Sequence, residues 1–261
     1  MMMEKDRLMI KEYCKKLRLG AIAENFETYL NDSTDCIEYL RTLLQAQIDE
    51  NDSDAVERRV KAARFPYRKY IEDLDPSVLP PALVRLLPTL LTLDFIKEGR
   101  NIILTGNPGT GKTHTAIGLG IKACEAGYKV LFTTLPFLVA ELKESNNKQK
   151  LCSYERRFRK YDLVIADELG YVSFDREGAD LLFNNLSQRV GIKSTIITSN
   201  LSFENWDQVF GGPAITGAMV DRLTFGAMLI DMTGDSYRLR ETLRVNGLDT
   251  AYVLEGKKEN G

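Results

Sequence analysis

Gly106-Asn107-Pro108-Gly109-Thr110-Gly111-Lys112-Thr113 is the stretch that decides how the chain is read. It fits G-x-x-x-x-G-K-[ST] in full, with the apolar Ile102-Ile103-Leu104 before it and a helical stripe after it, the strand–loop–helix context that a phosphate-binding loop requires. The glycines matter because backbone N–H groups must turn inward and approach a phosphate with no Cβ in the way. Lys112 brings a point charge to the β- and γ-phosphates, and Thr113 offers a hydroxyl to Mg²⁺. The following helix directs the positive end of its dipole at the anion. The expected nucleotide-contacting set is Gly106, Asn107, Pro108, Gly109, Thr110, Gly111, Lys112, Thr113 and His114, the last being the only histidine and read as helix packing, not catalysis.

Downstream, Leu163-Val164-Ile165-Ala166 runs into Asp167-Glu168. Acids at the tip of an apolar strand are costly to bury unless a cation or a reacting water uses them. Asp167 is the expected Mg²⁺ partner and Glu168 the residue that polarises an attacking water. A third run, Thr195-Ile196-Ile197-Thr198-Ser199-Asn200, ends in polar residues at the edge where open α/β sheets bind ligands, so Asn200 is a candidate for orienting that water.

The short apolar runs Asn101 to Thr105, Val130 to Thr134, Leu163 to Asp167, Thr195 to Ser199 and Met228 to Met232 alternate with helix-length segments. Such runs read as strands buried on both faces of a parallel sheet, which makes the C-terminal part a doubly wound α/β domain. Before it, Leu8 to Leu30 carries a helical stripe with a break near Gly20, predicting a hairpin. A second stripe covers Ile37, Leu40, Leu44 and Ile48, and the charged Asp49 to Arg64 predicts a further exposed helix ended by Phe65-Pro66. Five prolines between Pro66 and Pro88 mark a linker, since Pro80-Pro81 does not suit a helix interior or a central strand. The expected division is a small all-α domain over 1–65, for self-association or partner binding, and an ATPase domain over 66–261 that includes the Pro-rich linker 66–88.

Composition narrows the function classes. The longest apolar stretches fall well short of the roughly 18 to 20 residues a membrane span needs, and the charged N-terminus does not read as a secretory signal, so the expected location is the cytoplasm. Cys14, Cys36, Cys124 and Cys152 are scattered singly, without zinc-ligand spacing, and read as reduced thiols. With 35 Lys and Arg against 37 Asp and Glu, the molecule as a whole is no polycation, so any DNA contact must come from a local patch. Glu141 to Lys160 supplies one: seven basic and three acidic residues, with Arg156, Arg157, Arg159 and Lys160 as candidate phosphate contacts.

Taken together, these residues resemble a known family, the IstB-type ATP-binding helper proteins of bacterial insertion sequences, within the AAA+ group that also includes the helicase loader DnaC. The resemblance spans nearly the whole chain. It rests on Ala63-Arg64-Phe65-Pro66 with Ile71-Glu72-Asp73-Leu74-Asp75, on Gly106 to His114, on Asp167-Glu168-Leu169-Gly170-Tyr171, on Thr198-Ser199-Asn200, on Asp221-Arg222-Leu223 and on Ser236-Tyr237-Arg238. The resemblance implies an AAA+ ATPase, using ATP and Mg²⁺, that works between subunits of a homo-oligomer. It implies that Asn200 is a sensor of the γ-phosphate, that Arg238 touches γ-phosphate within its own subunit and that Arg222 is an arginine finger completing a neighbour's site. The expected partners are duplex DNA, deformed by the oligomer, and the transposase of the same insertion sequence. A DnaC-like loader acting on single-stranded DNA is the alternative, and an ATP-gated scaffold that never touches nucleic acid is a third reading.

Overall fold

A computed structural model of the chain describes residues 4–32, 35–145 and 148–246. The helices are α1 (Glu4–Leu17), α2 (Gly20–Asp32), α3 (Cys36–Ala62), α4 (Pro81–Leu91), α5 (Asp94–Lys97), α6 (Lys112–Glu125), α7 (Leu135–Glu144), α8 (Lys148–Phe158), α9 (Arg176–Ser187), α10 (Asp207–Phe210), α11 (Pro213–Thr224) and α12 (Tyr237–Val245). The strands are β1 (Ile102–Thr105), β2 (Val130–Thr134), β3 (Leu163–Leu169), β4 (Ser194–Ser199) and β5 (Met228–Asp231). Among the described residues no helix is long and apolar enough to cross a membrane.

The chain divides into two compact units, 1–58 and 59–261. In the first, α1 and α2 form the predicted hairpin, but Arg18, with φ 58°, takes the left-handed turn position and Gly20 opens α2. The apolar stripe from Ile37 and the charged run after Asp49 are one continuous helix, α3, of 27 residues. Nothing between Ile48 and Ala62 breaks it, since the run contains neither Gly nor Pro.

The second unit is built on a fully parallel sheet of order β2-β3-β4-β1-β5. The central three strands carry apolar runs because they are covered on both faces: Ile102, Ile103, Leu104, Val164, Ile165, Ala166 and Ile196 are all 0% exposed. Placing β4 and β1 between β3 and β5 brings the C-terminal ends of β1, β3 and β4 side by side, the edge at which open α/β sheets take ligands. The opposite edge is tied by Arg189, 1% exposed, whose guanidinium donates to the carbonyls of Phe158, Tyr161 and Ser194. Burial pushes that guanidinium's pKa down to about 10, still far above neutrality, so the staple stays charged.

The segment read as a Pro-rich linker is more ordered than its composition indicates. Pro81 opens α4 at its first position, where the missing N–H costs nothing, and Pro88 lies within the helix. Ahead of α4, residues 65–80 form an irregular strap that lies along α6. Positions 114, 118 and 122 share one face of α6 at i, i+4 spacing and receive it in order. His114 Nε2 lies 2.8 Å from the Tyr70 carbonyl, Gly118 leaves room for Ile71, and Lys122 Nζ pairs with Glu72 at 2.9 Å. A Cβ on Gly118 would stand 2.7 Å from Ile71 Cδ1, and one on Gly120 would stand 2.9 Å from the Phe65 ring.

Candidate functional site

The phosphate-binding sequence folds as a loop wrapped over the N-terminus of α6. Gly106, Gly109 and Gly111 have φ of 146°, 84° and 93°, a backbone that only glycine adopts without strain. Thr110 Oγ1 donates to the Asn107 carbonyl at 2.9 Å and fixes the loop's crown. The Lys112 ammonium, largely buried, donates to the carbonyls of Gly106 and Asn107, each at 2.6 Å. Its pKa is pushed down by burial, with Asp167 opposing and Arg238 reinforcing that shift.

Strand β3 delivers the two acids through a bulge. Ala166 pairs with Ile197 and Leu169 with Ser199, so Asp167 and Glu168 together face the single residue Thr198. A regular pleat would send adjacent side chains to opposite faces. The bulge instead lets both serve the same end of the sheet: Asp167 meets the phosphate loop and Glu168 lines the cleft beside it. Glu168 carries φ 68°, a left-handed backbone that costs a non-glycine residue about 1–2 kcal/mol.

Asp167 is 3% exposed and is held by hydroxyls from both sides. Thr113 Oγ1 donates at 3.0 Å to Oδ1, and Thr198 Oγ1 donates to the same oxygen. Burial pushes this carboxyl's pKa up, while the hydrogen bonds from Thr198 and Thr113 and the charge of Lys112 pull it back. The pKa of Glu168 is also raised, first by burial and then by the neighbouring Asp167 charge, with Arg238 opposing. The hydroxyl of Thr113 and the carboxylate of Asp167 are hard oxygen donors on one spot, which suits Mg²⁺. Among the described residues no three His, Cys, Asp or Glu side chains converge as a metal cage. Mg²⁺ sites in general do not need one, since that ion is commonly bound through one or two carboxylates plus phosphate and water.

These groups open onto a cleft of about 300 Å³. The loop residues 108–114 form its floor, Glu168, Thr198 and Asn200 one end, and Tyr237 with Arg238 another side. Arg238 arrives there because α12 starts on the phosphate loop: the Tyr237 N–H donates to the Gly109 carbonyl at 3.0 Å, and Ser236 caps the helix by accepting from Leu239 N–H at 3.2 Å. Asn200 Oδ1 is buried without a hydrogen-bond partner, pressed where a Cβ on Gly170 would sit.

Other expected site residues lie elsewhere. Arg222 is exposed on α11 and does not line the cleft. The basic residues before β3 fall on and after α8, whose Tyr154 and Phe158 are buried against the core. Arg156, Arg157, Arg159 and Lys160 all stand exposed; Arg157 also stacks 5.2 Å over the Tyr154 ring and Arg159 bonds Gln188. Lys148 lies among residues whose side chains fall outside the described set.

Sequence reasoning missed the roof of the cleft. Tyr67, Lys69, Asp73, Leu74, Asp75, Val78 and Leu79 of the strap all line it. The available signal was Ile71-Glu72-Asp73-Leu74-Asp75, a mixed acidic and apolar run in a segment whose prolines suggested only a connection. Thr198 was also passed over, although a hydroxyl on a strand buried at every position needs a partner.

With this geometry established, the kinship is direct: the family described as IstB-like ATP binding protein matches residues 13–245. The chain belongs to that family. It is 38% identical over 236 residues, 89% of this chain and 94% of the relative, to the protein of Geobacillus stearothermophilus named as an ATP-binding protein of insertion sequence IS5376. It is 36% identical over 204 residues, 78% of this chain and 77% of the relative, to its counterpart named for IS21 in Pseudomonas aeruginosa. Solved structures share the fold: DnaI with a TM-score of 0.54 at 20% identity, over 63% of this chain and 90% of that one. DnaA bound to AMPPCP and single-stranded DNA gives 0.52 at 19% identity, over 74% and 60%. The IstB-like chain is therefore an ATP-binding protein with an AAA+ type parallel sheet.

Gly118 makes the strap's contribution measurable. Gly118→Ala gains about 1 kcal/mol of helix propensity but places a methyl against Ile71. The expected outcome is denaturant stability within about 1 kcal/mol of wild type together with a several-fold loss of ATP affinity. Urea unfolding and titration with a fluorescent ATP analogue check the two halves separately.

Proposed function

We propose that this chain is a Mg²⁺-dependent ATPase that assembles as a homo-oligomer on duplex DNA in the cytoplasm, deforms it and so assists the transposase of its insertion sequence. The observation that carries the reading is the convergence of Lys112, Thr113, Asp167, Glu168 and Arg238 at one cleft, in a family whose relatives are named as insertion-sequence ATP-binding proteins.

In this reading the strap's Leu74, Val78 and Leu79 give the adenine ring an apolar face, and residues 106–114 take the phosphates. Thr113 and Asp167 would hold Mg²⁺, which supplies charge neutralisation on the β- and γ-phosphate oxygens. Lys112 and Arg238 direct positive charge at the γ-phosphate. Glu168 accepts the proton of the attacking water, and its raised pKa moves it toward the basicity that this task needs. Asn200, which lines the cleft at the end of β4, orients that water. The exposure of Arg222, away from its own cleft, supports its delivery to a neighbouring subunit as a finger. The 1–65 domain serves self-association or partner binding, and 66–261 carries the ATPase.

The chemistry predicts two separable phenotypes. Lys112→Ala loses nucleotide binding, whereas Glu168→Gln binds ATP and loses about 10² or more in turnover. Nucleotide titration and phosphate release by the purified variants check this, and wild-type turnover by Glu168→Gln would remove it as the base.

The finger predicts complementation. Arg222→Ala binds ATP and fails to hydrolyse it, and mixing it with Lys112→Ala restores activity, because the second subunit lends its Arg222 to the first. Mixed oligomers confirmed by mass but lacking recovered phosphate release would place Arg222 outside the catalytic step.

The DNA reading predicts weak binding per subunit that assembly multiplies. Non-specific contacts by one patch correspond to about 10⁻⁴ to 10⁻⁶ M at physiological salt, and ATP-bridged subunits act together on one duplex. Tight binding is expected with ATP and not with ADP. Replacing Arg156, Arg157 and Arg159 by Ala is expected to weaken all sequences alike and flatten the salt dependence in fluorescence anisotropy. An unchanged slope would take this patch out of the interface, and preference for single strands would favour a helicase-loader role.

A further inference from the structure

We infer that Thr198 is the positioning residue that couples Asp167 to Glu168, setting the aim of the proposed base; this rests on the ATPase reading above. Thr198 sits in β4, 2% exposed, opposite the bulge. Its single hydroxyl makes two contacts of opposite sense. It donates to Asp167 Oδ1 and accepts from the Glu168 backbone N–H at 3.0 Å. The direction is fixed, because an ionised carboxylate only accepts and a backbone N–H only donates.

That pairing has a structural consequence. An extra residue in a bulge leaves one backbone group without its ladder partner, and here the Thr198 hydroxyl supplies it. It does so at Glu168, the residue whose φ of 68° is disfavoured without an outside restraint. Thr113 donates to the same Asp167 oxygen from the phosphate-loop side, so the hydroxyl proton of each threonine points at Asp167. Lone pairs of Thr113 are left facing away from the carboxylate. The result is a continuous chain from Thr113 through Asp167 and Thr198 to the backbone of Glu168, linking the loop that binds phosphate to the side chain that meets water. Branching at Cβ restricts the Thr198 rotamer, which serves a hydroxyl that must satisfy two partners at once.

The test is a pair of variants read three ways. Thr198→Val keeps the shape and removes the hydroxyl, and Thr198→Ser keeps the hydroxyl. For Thr198→Val the expected result is a kcat at least about tenfold lower, an affinity for a fluorescent ATP analogue within about threefold, and faster amide hydrogen exchange in a peptide spanning 167–170. Thr198→Ser is expected to return kcat to within about threefold and exchange toward wild type. On a Glu168→Gln background Thr198→Val is expected to cost little further turnover, because it acts through Glu168. If Thr198→Val does not fold, Thr198→Ala carries the same expectations with less bulk. Wild-type turnover in Thr198→Val while Glu168→Gln is inactive overturns the inference alone. Equal losses in the Ser and Val variants also overturn it, since volume and not the hydroxyl would then matter. Wild-type turnover in Glu168→Gln removes Glu168 as the base, and this inference with it, while no turnover in the wild-type protein overturns the ATPase reading itself.

Discussion

Asp167 is a carboxylate enclosed by protein, and keeping it ionised there requires compensation from every side. Burial alone favours the neutral acid, and a lone buried charge is among the costliest things a fold can contain. The compensation comes from two hydroxyls and a lysine, drawn from two segments far in the chain from the acid on β3: Lys112 and Thr113 from the start of α6, and Thr198 from β4. Setting β4 between β1 and β3 brings the ends of those strands together. The strand order is thus the arrangement that makes this charge affordable, and the site is assembled as a consequence.

The same constraint explains why the neighbourhood is strained where it is. Two adjacent acids are needed at one edge, yet a pleated strand alternates its faces. The bulge at Asp167-Glu168 resolves the conflict and leaves Glu168 in a left-handed conformation. Gly170, two residues on, must also leave the strand path, and Asn200 and Leu201 occupy the space where its Cβ would be. At the C-terminal ends of the strands the left-handed non-glycine residue is therefore Glu168, which lines the cleft, while Arg189 pins the opposite edge.

What could be read in the sequence follows how local the determining physics is. The central strands β1 and β3 were legible because burial on both faces leaves an uninterrupted apolar run, as in Ile102-Ile103-Leu104 and Leu163-Val164-Ile165-Ala166. The phosphate loop was legible because its glycines and lysine are adjacent in the chain. The end of β3 was not: the run was expected to stop at Asp167 but continues to Leu169, since a bulge depends on the partner strand's Thr198. The strap was not legible either. Its order comes from contacts with α6 at positions 114, 118 and 122, more than forty residues away, and within the strap itself the prolines dominate. Pro80-Pro81 stays out of a helix interior as read, yet Pro81 opens α4 while Pro88 falls inside it, a distinction that depends on the helix's start and not on the prolines alone.

The geometry of α8 bears on how charge is used away from the cleft. One face of the helix is committed to the core through Tyr154 and Phe158, and that commitment draws in its neighbours. Arg157 covers the Tyr154 ring, Tyr154 Oη donates to Glu141 at 2.9 Å, and Glu141 in turn pairs with Arg64 at 3.4 Å. Arg159 is shared between Gln188 and Glu155. The sequence count of about four excess positive charges already subtracts Glu141, Glu144 and Glu155, and Lys143 is further paired with Asp175 at 2.6 Å, so one subunit presents only a small net charge to a phosphate backbone. A surface so divided is a poor anchor alone and a useful one in repetition. Each copy adds a few weak, screened contacts whose sum grows with the number of subunits, so under the proposed function the nucleotide governs DNA binding by governing assembly, without any residue of the cleft touching DNA.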